Sequence, residues 1–160
     1  MKKWLKEIVL WIIFVIIVSN IISYVRKPDI HFSQFPFSTV ALLDGSTYQI
    51  QKDKPLLIHF WATWCPVCKL EADNIERLSK KYNVLTIAVN SGNNEKIRKY
   101  LKQKGLTFRV LNDPKGMWAQ TFNVKVFPTT FIYNSGGKLK FTEVGYTSTA
   151  GLLARMALVR

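Results

Sequence analysis

The sequence predicts an α/β fold, a central mixed β-sheet flanked by helices, with a hairpin ahead of the sheet and one transmembrane helix at the front. Three observations predict it. Short apolar strand-like runs alternate with segments of helical period. A second hairpin pattern arrives late, which adds antiparallel strands to an otherwise strand–helix–strand order. Residues 8–25 are apolar on all sides, broken only by Ser19, Asn20, Ser23 and Tyr24.

The 160 residues suffice for one ordinary domain with a surplus at the front. A helix over 8–25 would span about 27 Å, enough for a slightly thin hydrocarbon core. Lys2, Lys3 and Lys6 precede the run, and Arg26 and Lys27 follow it. The heavier positive charge in front places the amino terminus in the cytoplasm. The run is long for a signal peptide and lacks a small-x-small cleavage site, so an uncleaved anchor is expected over 1–26. No cysteine near its end offers a lipid attachment point. Residues 27–36 read as a tether reaching at most about 35 Å. Residues 37–160 form the folded domain, placed outside the cytoplasm at the inner membrane.

Within that domain, 39–50 reads as a hairpin about Asp44-Gly45. Pro55 opens a buried strand over 56–61. A helix follows over 66–82, with Val67, Glu71, Ile75, Leu78 and Tyr82 on one buried stripe. Residues 84–89 form the next strand. Asn93 or Asn94 caps a helix that Gly105 ends. Residues 106–111 are a strand, Asp113-Pro114-Lys115-Gly116 a turn, and 117–122 a short helix. Residues 129–133 and 139–144 pair as a hairpin through Ser135-Gly136-Gly137, and Ser148 or Thr149 starts a last helix.

The net charge is +13, and from His31 onward there are 18 Lys/Arg against 8 Asp/Glu. The lysines scatter over helical faces without a base-reading motif. This excludes a nucleic-acid partner and fits a solvated surface near anionic lipid. His31 reads as ordinary surface.

The chemistry concentrates at Cys65-Pro66-Val67-Cys68, which holds the only two cysteines. Pro66 suits the first helical position, which makes Cys65 the N-cap. The helix dipole there favours an anion, so Cys65 is the expected attacking thiolate. Cys68, one turn inside, is placed to resolve a mixed disulfide. As a static bridge the pair would close almost no loop and stabilise little. As a metal site, two sulfurs leave a tetrahedral ion incomplete, with only His31 and His59 besides. No cofactor is expected beyond the Cys65–Cys68 disulfide, and no metal.

Glu71 is an acid on an otherwise apolar stripe, three residues after Cys68. Held there it would titrate high and exchange protons with the dithiol. Its bland alternative reaches water or Lys69 from the stripe's edge. His59 has two readings of equal weight: a proton acceptor for the dithiol, or a core histidine satisfied by one hydrogen bond. Trp61 packs beneath the site. Trp64 lies beside it at the surface, for a partner or for packing.

The segment 60–68, Phe-Trp-Ala-Thr-Trp-Cys-Pro-Val-Cys, resembles the active-site motif of the thioredoxin superfamily. Val126-Phe127-Pro128-Thr129-Thr130-Phe131 resembles its cis-proline loop. The stretch 83–125 is similar to the membrane-tethered branch typified by TlpA, ResA and CcmG. Within that branch, anchor, length and Cys-Pro-Val-Cys centre look most like copper-sensitivity suppressors of the ScsD type. The resemblance covers roughly 36–160 and implies a thioredoxin-like fold with a central βα insertion. It implies a cis Phe127–Pro128 bond against the dithiol, where residues alone would let Pro128 simply start a strand. It implies that backbone near Phe127, with Trp64, Pro66 and Val67, meets the substrate chain. Glu71 matches an active-site glutamate of ResA-like proteins. His59 departs from the family's aspartate or asparagine, and Asp73 from its helix-kinking proline, so a straighter helix with a solvated Asp73 is expected.

The resulting expectation is an anchored thiol–disulfide oxidoreductase acting on protein thiols and disulfides. The resemblance favours a reductant, recharged by a membrane thiol transporter of the DsbD or CcdA kind. Alternatives are an oxidase or isomerase, a Cu(I)-binding protein using the dithiol, and an inactive interaction module.

Overall fold

The first 27 residues contain neither proline nor glycine, so nothing stops a helix, and α1 runs Lys2–Val25. The computed structural model describes residues 2–25, 28, 34–51 and 53–159. Most of the expected tether, with His31, lies outside them. The expected membrane-spanning helix over 8–25 is not supported. Among the described residues no helix is long and apolar enough to cross a membrane. Leu10, Trp11, Phe14 and Ile17 of α1 are nonetheless exposed.

Strands β1 (Thr39–Ala41) and β2 (Thr47–Gln49) pair as an antiparallel ribbon. The connection is longer than the two-residue turn its Asp-Gly suggests. Leu42 N donates to Ser46 O, Asp44 Oδ1 accepts from Ser46 N, and Gly45 takes a φ of +88° that favours glycine.

The main sheet contains β3 (Leu56–Trp61), β4 (Asn83–Val89), β5 (Arg109–Asp113), β6 (Thr129–Tyr133) and β7 (Leu139–Val144). Their order is β5-β4-β3-β6-β7. β3, β4 and β5 are parallel, and β6 and β7 are antiparallel additions. Apolar side chains from alternate positions fill two layers. Leu57, Trp61, Val84, Ala88 and Ile132 face one cluster, which also takes Ile75, Ile97 and Leu152 from helices. Leu56, Ile58, Phe60, Leu85, Ile87 and Phe131 face the other, with Val40, Ile50 and Phe122.

Four helices complete the domain: α2 (Pro66–Ser79), α3 (Asn94–Lys104), α4 (Met117–Thr121) and α5 (Thr149–Leu158). Asn93 caps α3 and Gly105 ends it at φ +65°. Ser148 caps α5. Such caps contribute about 1 kcal/mol each. α2 ends three residues short of the expected Tyr82, with Lys80 as its C-cap. Its buried stripe is Cys68, Glu71, Ile75 and Leu78. Val67, expected on that stripe, is 38 % exposed instead. Asp73 is solvated, as expected.

β5 begins three residues later than expected. Leu106 and Phe108 are buried, but Thr107 N and Phe108 N donate to the Glu76 carboxylate of α2, at 2.8 and 3.1 Å, rather than to β4. A helix side chain thus takes hydrogen bonds that a strand would have used. At the other end of β5, Asp113 is buried and its Oδ2 accepts from Ala119 N, supplying the cap that Gly116 cannot.

Candidate functional site

β3 delivers the chain to the carboxyl end of the sheet, where Cys65 stops it and Pro66 begins α2. Cys65 has extended backbone, φ −81° and ψ 115°, and its sulfur accepts from Cys68 N at 3.1 Å. The predicted N-cap is therefore present. Cys65 and Cys68 are joined as a disulfide, their Cα atoms 5.3 Å apart. Cys65 is 4 % exposed and Cys68 2 %. Exposure does not separate them. The helix start does, because its free N–H groups and dipole favour a thiolate at Cys65.

β6 starts beside this point because it is the antiparallel neighbour of β3, with Phe60 opposite Thr129. The Phe127–Pro128 bond is cis, as the resemblance implied. Pro128 is buried, and the Phe127 carbonyl oxygen lies 3.7 Å from Cys65 Sγ. The loop is tied on both sides: Thr129 Oγ1 donates to Val126 O, and Gly145 N donates to Pro128 O.

Trp64 reconciles its two readings. It is 56 % exposed, yet its Nε1 donates to Asn90 O at 3.2 Å and its ring stands edge-on to Phe127, 5.8 Å between centroids. Val67 and Leu70 are also exposed, so an apolar rim surrounds the cysteines. Val67, one turn before the buried Glu71, lies beyond the covered part of the α2 stripe. Pro66 is exposed beside it. Trp61 is buried beneath, against Tyr100 and Phe108, as expected.

Glu71 is fully buried. One carboxylate oxygen accepts from Thr147 N at 3.2 Å, and Oε2 has no partner among the described residues. Burial pushes the Glu71 carboxyl up to about 8, the Thr147 N–H opposes that, and the charge of Glu143 adds to it. The reading of Glu71 as a stripe-edge residue reaching water or Lys69 is thus set aside. A carboxyl so placed holds a proton at neutral pH and can release it just above.

His59 is also buried, and its Nδ1 lies 2.9 Å from Thr130 Oγ1. Burial pushes it down to about 3, so the ring is neutral in ordinary conditions. That is the environment of a core histidine with one hydrogen bond, and a ring held this low takes up little proton at neutral pH. Sequence reasoning did not find Thr130 as its partner, because only the β3–β6 register aligns the two.

Other supports went unnoticed as well. Ser91 Oγ accepts from Thr63 N at 3.0 Å, and Asn74 Nδ2 donates to Thr147 O at 3.0 Å. Asn90 adopts a φ of 46°. The Asn-Ser-Gly-Asn-Asn run after β4 was a visible turn signal for the first of these.

A family model described as Redoxin matches residues 28–154. A thioredoxin-like protein of Haemophilus influenzae is 33% identical over 159 residues, covering 97% of this chain and 94% of the relative. Sporulation thiol-disulfide oxidoreductase A of Bacillus subtilis is 30% identical over 111 residues, covering 64% of this chain and 67% of the relative. Among solved structures, the exposed lipoprotein thioredoxin Etrx1 of Streptococcus pneumoniae superposes with a TM-score of 0.65 at 26% identity, covering 75% of this chain and 97% of that one. With a dithiol at a helix start and a proline loop across from it, the chain belongs to the Redoxin family and is a thiol–disulfide oxidoreductase of the thioredoxin-like type.

Proposed function

We propose that this protein reduces disulfides of protein partners outside the cytoplasm, working from a membrane anchor. The observation that carries it is the Phe127 carbonyl oxygen 3.7 Å from Cys65 Sγ, at the rim of an exposed apolar surface. A partner strand laid along that backbone presents its own sulfur to Cys65, and Trp64, Pro66 and Val67 flank the approach.

In the reductive direction the Cys65 thiolate attacks one sulfur of the partner's disulfide. That bond breaks, a Cys65–partner disulfide forms, and the departing partner thiolate takes a proton. Cys68, deprotonated, then attacks Cys65 Sγ. The partner leaves as a dithiol, and Cys65–Cys68 is oxidised by two electrons. A dithiol donor must reduce it again, which fits a membrane thiol transporter of the DsbD or CcdA kind. In this reading Glu71, buried on α2 one turn after Cys68, takes the Cys68 proton and returns it.

The anchor reading rests on the apolar run 8–25 and on its exposed Leu10, Trp11, Phe14 and Ile17, which need an apolar surrounding. The copper-tolerance alternative would use the same two sulfurs for Cu(I), and Cu(I) titration of the reduced protein tests it. Whether the protein runs as reductant, oxidase or isomerase depends on its potential, where about 30 mV shifts the two-electron balance tenfold.

The deciding experiment is Cys68→Ala expressed in cells. Mixed disulfides through Cys65 are expected to accumulate, and mass spectrometry identifies the partners. Their absence, together with no reduction of insulin by the wild-type chain, would sink the catalytic reading. Alkaline extraction of membranes is expected to leave the full chain in the pellet.

A further inference from the structure

Behind α2 the sheet carries a polar row. The registers set Thr86 opposite His59, His59 opposite Thr130, and Thr130 opposite Glu143. Alternation puts the row on the face of Leu57, Trp61, Ala88 and Ile132, the face packed under α2 and α5. Its inner members, Thr86, His59 and Thr130, are buried. Its outer end is Glu143, paired with Arg155 of α5 at 2.7 Å, where the two side chains are 17% and 31% exposed. Arg155 is further fixed by Gly151 O at 3.0 Å, with its guanidinium over the Phe141 ring.

That pair has an evident mechanical role, since it straps α5 to β7. A second relation goes beyond a strap. Glu71 sits buried on α2, held by Thr147 N from the β7–α5 loop, and the charged side chain whose field reaches it is Glu143. The same short loop therefore joins the strand carrying Glu143 to the helix carrying Arg155, and touches Glu71 on the way.

We propose that Glu143 and Arg155 are positioning residues for the dithiol's proton chemistry: an outer, ion-paired carboxylate that controls how readily the inner carboxyl of Glu71 holds its proton and passes it to solvent. This rests on the oxidoreductase reading. When a donor dithiol reduces Cys65–Cys68, one S–S bond breaks here and one forms in the donor. Two electrons arrive, and the two sulfurs accept the two protons the donor thiols release, one of them by way of Glu71. The negative charge of Glu143 favours the protonated Glu71, and Arg155 offsets part of it. Of the other groups packed about α2 here, His59 on β3 is kept neutral by burial, the Thr147 N–H favours the charged carboxylate, and Tyr146 bonds to Asn74.

The test measures alkylation of the reduced full chain by iodoacetamide against pH, with insulin reduction at one pH in parallel. The informative midpoint is the one that Glu71→Gln removes. Glu143→Gln is expected to move it down and Arg155→Gln to move it up, each by about half a pH unit or more. Arg155→Lys keeps the charge and is expected to hold the midpoint. In a Glu71→Gln background the Glu143→Gln shift disappears. A strap alone predicts lower melting temperatures for Glu143→Gln and Arg155→Gln with midpoints unmoved, and that result overturns the proposal. So does a profile in which Glu71→Gln removes no midpoint. Glu143→Gln carries the test by itself should Arg155→Gln not fold. If the wild-type chain alkylates normally but reduces no insulin, the oxidoreductase reading fails instead.

Discussion

Glu71 on α2 and His59 on β3 are both buried, yet their protons link to folding with opposite sign. Glu71 binds its proton more tightly folded than unfolded, up to about 8 against an ordinary 4.5. Between those values the folded state carries the extra proton, so this contribution to stability is present below about pH 4.5 and is lost as pH rises to 8. His59 is depressed to about 3 from 6.5. There the unfolded state binds the extra proton, so the contribution is full above about pH 6.5 and is lost as pH falls toward 3. Glu71→Gln is therefore expected to match the wild type near pH 5 and exceed it in urea midpoint at pH 8. His59→Asn is expected to flatten the loss of stability between pH 6.5 and 4, at a general cost of about 1–3 kcal/mol for its disturbed buried site. Urea unfolding across pH checks both. Glu71 was legible as a buried acid because its neighbours at helical spacing are apolar. The fate of His59 was not, because Thr130, its partner, is 71 residues away.

At the scale of elements, three strands of the main sheet could be read closely. β3, β6 and β7 have the bounds their sequence patterns predict, because side chains alternate between the faces along the strand itself. β5 could not. Leu106 and Phe108 look like strand residues, but their segment is held by Glu76, whose carboxylate also meets Thr107 Oγ1 at 2.7 Å and Lys80 at 2.7 Å. Glu76→Ala is expected to cost about 1.5–3 kcal/mol and to speed amide exchange at Thr107 and Phe108 while leaving β4 protected. Val67 was misplaced for a related reason. Helical period assigns a face, but the length of covering sheet decides where that face stops being covered. Ile75, under full cover, is expected to lose about 2–5 kcal/mol as Ile75→Ala, measured by urea unfolding.

For the whole molecule, the buried members of both core clusters run from Val40 onward, and α1 supplies none of their described members. A chain starting at Gln34 is expected to melt within about 3 °C of the full chain and to reduce insulin at the same rate. Differential scanning calorimetry and a turbidity assay measure the two. The fold class and the dithiol could be read in advance because each is written locally, in runs and spacings. The ion pair at the sheet edge could not, because it joins β7 to α5 through side chains that look like ordinary surface. The β3–β6 ladder has one more consequence. Cys65 leaves the end of one strand and Pro128 enters the start of its antiparallel neighbour, so a single pairing fixes the separation of the two. Exchanges at the exposed Trp64, Val67 and Leu70 can therefore redraw the rim a partner meets while the gap between sulfur and carbonyl stays constant. Such an arrangement lets partner choice diverge among descendants without re-inventing the chemistry.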